Sequence, residues 1–160
     1  MTTQALSTYL NDHLAGAAAA VELLDHLLEL HRGSDRRTFY ETVQAEIIED
    51  QKTLQGLVRR ISGRESQVRK AAAWFSEKLA QAKLALDDRA GGQFRTFEAL
   101  EALTLGIHGK LLLWKALSEA ARLNPALQGV DYVGLQQRAQ EQYARVDQER
   151  LQVARLTLEA

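Results

Sequence analysis

Apolar residues recur every three or four positions through most of this 160-residue chain, and strong breakers interrupt the rhythm at only four places. These are Gly33-Ser34, Ser62-Gly63, Gly91-Gly92 and the stretch from Asn124-Pro125 to Gly129. Between them the pattern predicts helices near residues 3–31, 35–61, 65–87, 94–122 and 131–158. In the first, Leu6, Leu10, His13, Leu14, Ala17, Val21, Leu24 and Leu28 share one face. In the second, Phe39, Val43, Ile47, Asp50, Leu54, Val58 and Ile61 do so. The third carries a narrower seam, Val68, Ala72, Phe75, Leu79, Ala82 and Leu86, suited to lying along a groove of a bundle.

The segment "FEALEALTLGIHGKLLLWKAL", residues 97–117, is apolar on two sides. Leu100, Leu103, Ile107, Leu111, Trp114 and Leu117 form one face, and Phe97, Leu105, His108 and Leu112 form another. Such a helix is expected to be covered twice, by the core and by the 65–87 helix. Gly106 and Gly109 cost about 1 kcal/mol each against alanine in a helix interior. Close approach of a neighbouring backbone or of Trp74 would explain them. The run Ala15-Gly16-Ala17-Ala18-Ala19-Ala20 reads as room for bulky partners or for a ligand.

The helix ends are also legible. Gly33 suits a left-handed residue closing the first helix, and Ser34 suits an N-cap opening the second. Asn124 is expected to cap a short turn that begins at Pro125, and Asp131 to cap the last helix. Four of the helices would be roughly 40 Å long. Long helices of similar length with short connections predict antiparallel neighbours, and hence one up-and-down bundle domain spanning residues 1–160.

Two polar residues interrupt the core stripes, His13 and Asp50. A hairpin folded at residue 34 would bring them within about a turn or so of each other, close enough for a buried hydrogen bond. Glu101 and His108 share a face two turns apart, and folding the last helix back would place His108 near Val146, Asp147 and Arg150. A His–Asp or Glu–Arg contact is expected there. His26 and His31 read as surface residues near a helix end.

Composition narrows the chemistry. A formal charge of -1 gives no cationic surplus for phosphate backbones, so nucleic-acid binding is not expected. With no cysteine, thiolate metal sites and thiol nucleophiles are excluded. The N-terminal "MTTQALSTYLNDHL" lacks the basic start and apolar core of a secretion signal, and the expected location is cytoplasmic. Residues 64–83 hold five basic and two acidic residues, a balance that fits either a covering helix or one lying on an anionic membrane. Di-metal bundles use paired Glu-x-x-His motifs, and none occurs here. Glu46 to Glu49 and Glu98 to Glu101 are only Glu-x-x-Glu. Phosphate loops and nucleophile elbows are absent as well.

The stretches "YLNDHLAGAAAAVELLDHL", "EIIEDQKTLQGL" and "ALTLGIHGKLLLWKAL", with the Gln/Arg-rich closing helix, resemble uncharacterised bacterial proteins of ferritin-like bundle type. The resemblance implies an all-α, ferritin-like four-helix bundle with the 65–87 helix as an extra amphipathic element in the crossover. The expected function is a non-catalytic interaction or structural role, with an unknown protein or a second copy of the chain as partner. One alternative is a degenerate metal or small-ligand site using His13, Asp50, Glu101 and His108, with iron, manganese or zinc as candidate metals. The other is peripheral membrane attachment through the 65–87 helix.

Overall fold

Four long helices account for nearly all of the structure, a computed structural model that describes residues 2–62 and 92–159. They are α1 (Thr2–Leu30), α2 (Arg36–Ser62), α3 (Gly92–Ala120) and α4 (Tyr132–Leu158), with a 3-10 turn at Pro125–Leu127 before α4. Among the described residues there is no strand. The helix expected at 65–87 lies outside the described residues.

Local chemistry ends these helices much as expected. Ser34 Oγ accepts from the Arg36 amide at 3.2 Å, covering one of the amides that a helix start leaves unpaired. Asn124 accepts from the Ala126 amide at 3.1 Å, with Pro125 in the first position of the turn. Asp131 accepts from the Gly134 amide at 3.0 Å. A Cβ at Gly134 would collide with that capping carboxylate, which explains a glycine in the first turn. One expectation fails: Gly33 is not left-handed, because the α1–α2 connection closes through hydrogen-bonded turns instead. Gly129 (φ 78°) is the left-handed residue among those described.

Helix directions follow from which residues meet. Gln44 of α2 reaches both Val21 and Asp25 of α1, so that pair turns back on itself. Between α2 and α4, Arg36 pairs with Glu149, Glu46 with Arg145 and Asp50 with Arg138, numbers rising on one helix as they fall on the other. Glu101–Arg150 and Lys110–Gln142 set α3 antiparallel to α4. By contrast α2 and α3 run the same way. Leu54, Leu57 and Val58 share one core cluster with Leu111, Leu113, Trp114 and Leu117, whereas Tyr40, Val43 and Ile47 share the other with Ala99, Leu100, Leu103 and Ile107. Neighbours in space are antiparallel as expected. The simple up-and-down order is not followed, since two consecutive long helices of the described chain are parallel.

The two clusters are the halves of the core. Leu10 and Leu14 of α1 and Leu127, Tyr132, Leu135 and Ala139 complete the first; Leu24 and Leu27 of α1 with Val146 and Val153 of α4 complete the second. Every position of the expected inner face of α3 is buried. Its second apolar face is not: Leu105 is 71% and Leu112 51% exposed. Its expected cover is the 65–87 helix, outside the described residues.

Candidate functional site

Between the two clusters the bundle has a polar layer and a hole. On α1, the layer falls on Ala15 to Ala20, whose side chains are too short to cross the space between helices. On α3 it falls on Gly106 and Gly109. Leu10 and Leu14 on one side and Leu24 and Leu27 on the other hold α1 at full packing distance, and a helix is too stiff to bow inward between them. The result is a cavity of about 190 Å³ between α1, α2 and α3. Ala17, Ala20, Ile47, Leu54, Ile107, Leu113 and Trp114 give its wall an apolar character, and Asp12, His13, Asp50, Gln51 and Lys110 add polar groups.

Among the described residues, a Cβ built on Gly16, Gly106 or Gly109 meets nothing within 4 Å, and Gly16 and Gly106 are exposed. The backbone approach expected at Gly106 and Gly109 is therefore not found among the described residues, and the approach expected of Trp74 lies outside them.

Asp50 is 2% exposed and sits against two cations. Lys110 Nζ donates to its Oδ2 at 2.6 Å, and Arg138 Nη2 lies 2.5 Å from Oδ1 as an ion contact. The latter is too poorly aligned to count as a hydrogen bond. Lys110 also donates to Gln142 Oε1, and Gln142 is fully buried. Burial pushes the Lys110 ammonium below its ordinary 10.5, and the Asp50 charge opposes that shift. A His13–Asp50 hydrogen bond, expected from the hairpin register, does not form; Lys110 and Arg138 reach the carboxylate instead.

His13 remains on the cavity wall, half-buried, its ring 4.7 Å from that of Tyr9. Burial holds its pKa below the usual 6.5, with Asp12 acting in the opposite direction. Glu101 and His108 stand elsewhere, on the outer side of α3. Glu101 is loosely paired with Arg150 at 3.8 Å, the Glu–Arg contact expected there. His108 is exposed against the ring of Tyr143 at 5.8 Å, about one turn from the place its register suggested. Of the four residues singled out as metal candidates, the cavity therefore unites only His13 and Asp50. Among the described residues no group of three or more histidine, aspartate or glutamate side chains converges as a metal site would require.

His31 is also less superficial than its place at the end of α1 suggests. Its Nε2 lies 3.0 Å from Thr96 Oγ1, which itself donates to the Gly92 carbonyl at 2.8 Å. With the hydroxyl proton spent there, Nε2 is the donor. Burial, reinforced by Arg36, lowers the His31 pKa, while Glu149 opposes. Tyr40 beside it is fully buried, donates to Glu149 at 3.3 Å, and has its hydroxyl pKa pushed up, chiefly by burial.

Lys110 and Gln142 went unnoticed in the sequence, although both interrupt apolar stripes. Lys110 falls three residues after Ile107 and four before Trp114; Gln142 falls three after Ala139 and four before Val146. That spacing is the same signal that singled out Asp50.

Comparison of the chain with protein-family models, with curated proteins and with solved structures finds no match.

Proposed function

We propose that this chain is a non-catalytic, ferritin-like helical bundle that works by binding, with the mid-bundle cavity as its binding site. The observation that carries this reading is the space of about 190 Å³ between α1, α2 and α3, which Gly16, Gly106 and Gly109 border and which lies next to the buried Asp50–Lys110 pair. Among the described residues, alanine at those positions would strengthen the helices and meet no obstacle, and a guest seated in this space would give the glycines a use.

The ferritin-like assignment draws support from the helix directions: two antiparallel pairs, with α2 and α3 parallel, require a long connection between residues 62 and 92. In such bundles, cofactor and metal sites lie in the core between facing helices. Here the Lys110 ammonium lies at mid-bundle against Asp50 and Gln142. An internal cation of this kind neutralises the carboxylate that a metal would otherwise use.

The test is thermal denaturation with small hydrocarbons and ketones, in the wild type and in Gly109→Leu. A guest that binds the native state raises Tm with concentration. The leucine, filling the cavity, should raise the unliganded Tm and abolish the guest's effect. No stabilisation of the wild type by any such guest would remove this reading.

A second reading, assembly with a protein partner or another copy, draws on the outer face of α3. Leu105 and Leu112 lie two turns apart there, both largely exposed, with His108 and Tyr143 beside them.

A further inference from the structure

Resting on the cavity reading above, we infer that the cavity is a proton-coupled site, in which an uncharged apolar guest and a proton on His13 oppose one another. The inference starts from where His13 stands. Its half-buried ring forms part of the cavity wall, and the cavity opens where Asp12, Gly16 and Gly106 are exposed. Among the described residues no hydrogen bond reaches its ring nitrogens, and the ring of Tyr9 meets it edge-on at 4.7 Å.

A charged imidazole needs a counter-ion or water. Few groups around the cavity can supply the first. On α1, the Asp12 carboxylate favours the protonated ring, but it is itself exposed to solvent. From α2, Asp50 shares the cavity, yet Lys110 of α3 and Arg138 of α4 already hold its two oxygens. Lys110 is a cation and would only repel a second positive charge, and Gln51 of α2 is neutral. Protonated His13 therefore depends on water reaching it through the cavity.

A guest takes that water away. A dry cavity of about 150 Å³ accepts benzene, so about 190 Å³ takes a guest of roughly six to eight heavy atoms. A hydrocarbon of that size replaces the solvent on one side of the ring and returns no hydrogen bond. This costs the neutral imidazole little and the charged one much. Burial already holds the His13 pKa below 6.5, and the guest acts in the same direction. The coupling is reciprocal: the guest lowers the pKa, and the proton weakens the guest by the same factor. Affinity is complete above the pH at which His13 titrates and falls by up to about tenfold for each unit below it.

Cyclohexane, which carries no charge and no hydrogen-bonding group, is the probe. The chain has four histidines, and His13→Gln identifies the His13 ring signal by its loss. The contact between its ring and that of Tyr9 marks the same signal in the wild type. Histidine ring protons of the full chain are followed by NMR as pH is lowered through the His13 titration, with and without cyclohexane. The guest should lower the pKa of His13 and leave those of His26, His31 and His108 in place. Cyclohexane affinity over the same range should fall with pH in the wild type and stay level in His13→Gln. Asp12→Asn removes the carboxylate that favours the charged ring, so the fall should move to lower pH. If cyclohexane binds but the His13 titration does not move, or the wild type and His13→Gln lose affinity alike, the coupling is overturned and the cavity reading survives. If cyclohexane binds at no pH, both fall. The pKa shift is read on the wild type, so the test holds even if His13→Gln folds poorly.

Discussion

Asp50 is held by Lys110 and Arg138 in a part of the protein where water does not reach it, and this shapes what substitutions there should do. Lys110→Met leaves the carboxylate with Arg138 alone, and Arg138 is partly exposed. Breaking a buried pair from one side typically costs about 3–5 kcal/mol, because the surviving charge stays buried without its counterion. Urea denaturation of Lys110→Met should show a loss near the lower end of that range. Combining it with Asp50→Leu removes both charges together, and the double variant should lose less than the sum of the two single changes. Strict additivity would mean the pair does not interact. The histidines predict a pH effect. His13 and His31 titrate below 6.5 in the folded chain, so between those lowered values and 6.5 the unfolded chain binds more protons. The stability they contribute is complete above pH 6.5 and is lost as pH falls toward their folded values. His13→Gln with His31→Gln should flatten the stability curve in that window. Glu29 and Glu49, lowered by hydrogen bonds from Arg32 and Lys52, act only below their ordinary 4.5.

Within single helices, the caps and the glycines make opposite contributions. Asp131→Ala removes the acceptor for the Gly134 amide and should cost about 1 kcal/mol. Gly106→Ala should instead add stability, by up to about 1 kcal/mol, because the helix gains propensity and the new methyl group meets no neighbour among the described residues. A destabilised Gly106→Ala in the same denaturation experiment would mean that the space is not free. Most of this level was readable from residue order. Ser34, Asn124-Pro125 and Asp131 cap where the sequence places them, because a cap depends on a side chain and amides two or three residues away. Gly33 misled for a related reason. A glycine permits a left-handed turn without imposing one, and hydrogen bonds from His31 to Leu27 and from Ser34 to His31 closed the connection another way.

For the whole molecule, the question is what meets the outer face of α3. Leu105→Gln with Leu112→Gln changes two largely exposed residues, and such changes usually move stability by no more than about 0.5 kcal/mol. If that face mediates assembly, sedimentation should show wild-type association that rises with concentration and disappears in the double variant. A wild type that stays monomeric at high concentration would rule out self-assembly through this face. Among the described residues no helix is long and apolar enough to cross a membrane.

The sequence by itself determined the four described helices, most of their caps and the inner face of α3. Leu100, Leu103, Ile107, Leu111, Trp114 and Leu117 are buried together because a period of 3.6 residues puts them on one side of α3 whatever that side meets. Periodicity also made Asp50 conspicuous, as a charge among apolar neighbours. It could not name the partners, since Lys110 and Arg138 arrive from two other helices, and their arrival depends on a register set by all four at once. The parallel run of α2 and α3 is likewise absent from any local pattern, because an amphipathic helix buries the same face in either direction. The cavity belongs wholly to the tertiary structure. Glycine and alanine in one helix read equally well as close packing or as open space; only the bulky leucines above and below, holding the neighbouring helices apart, decide for space.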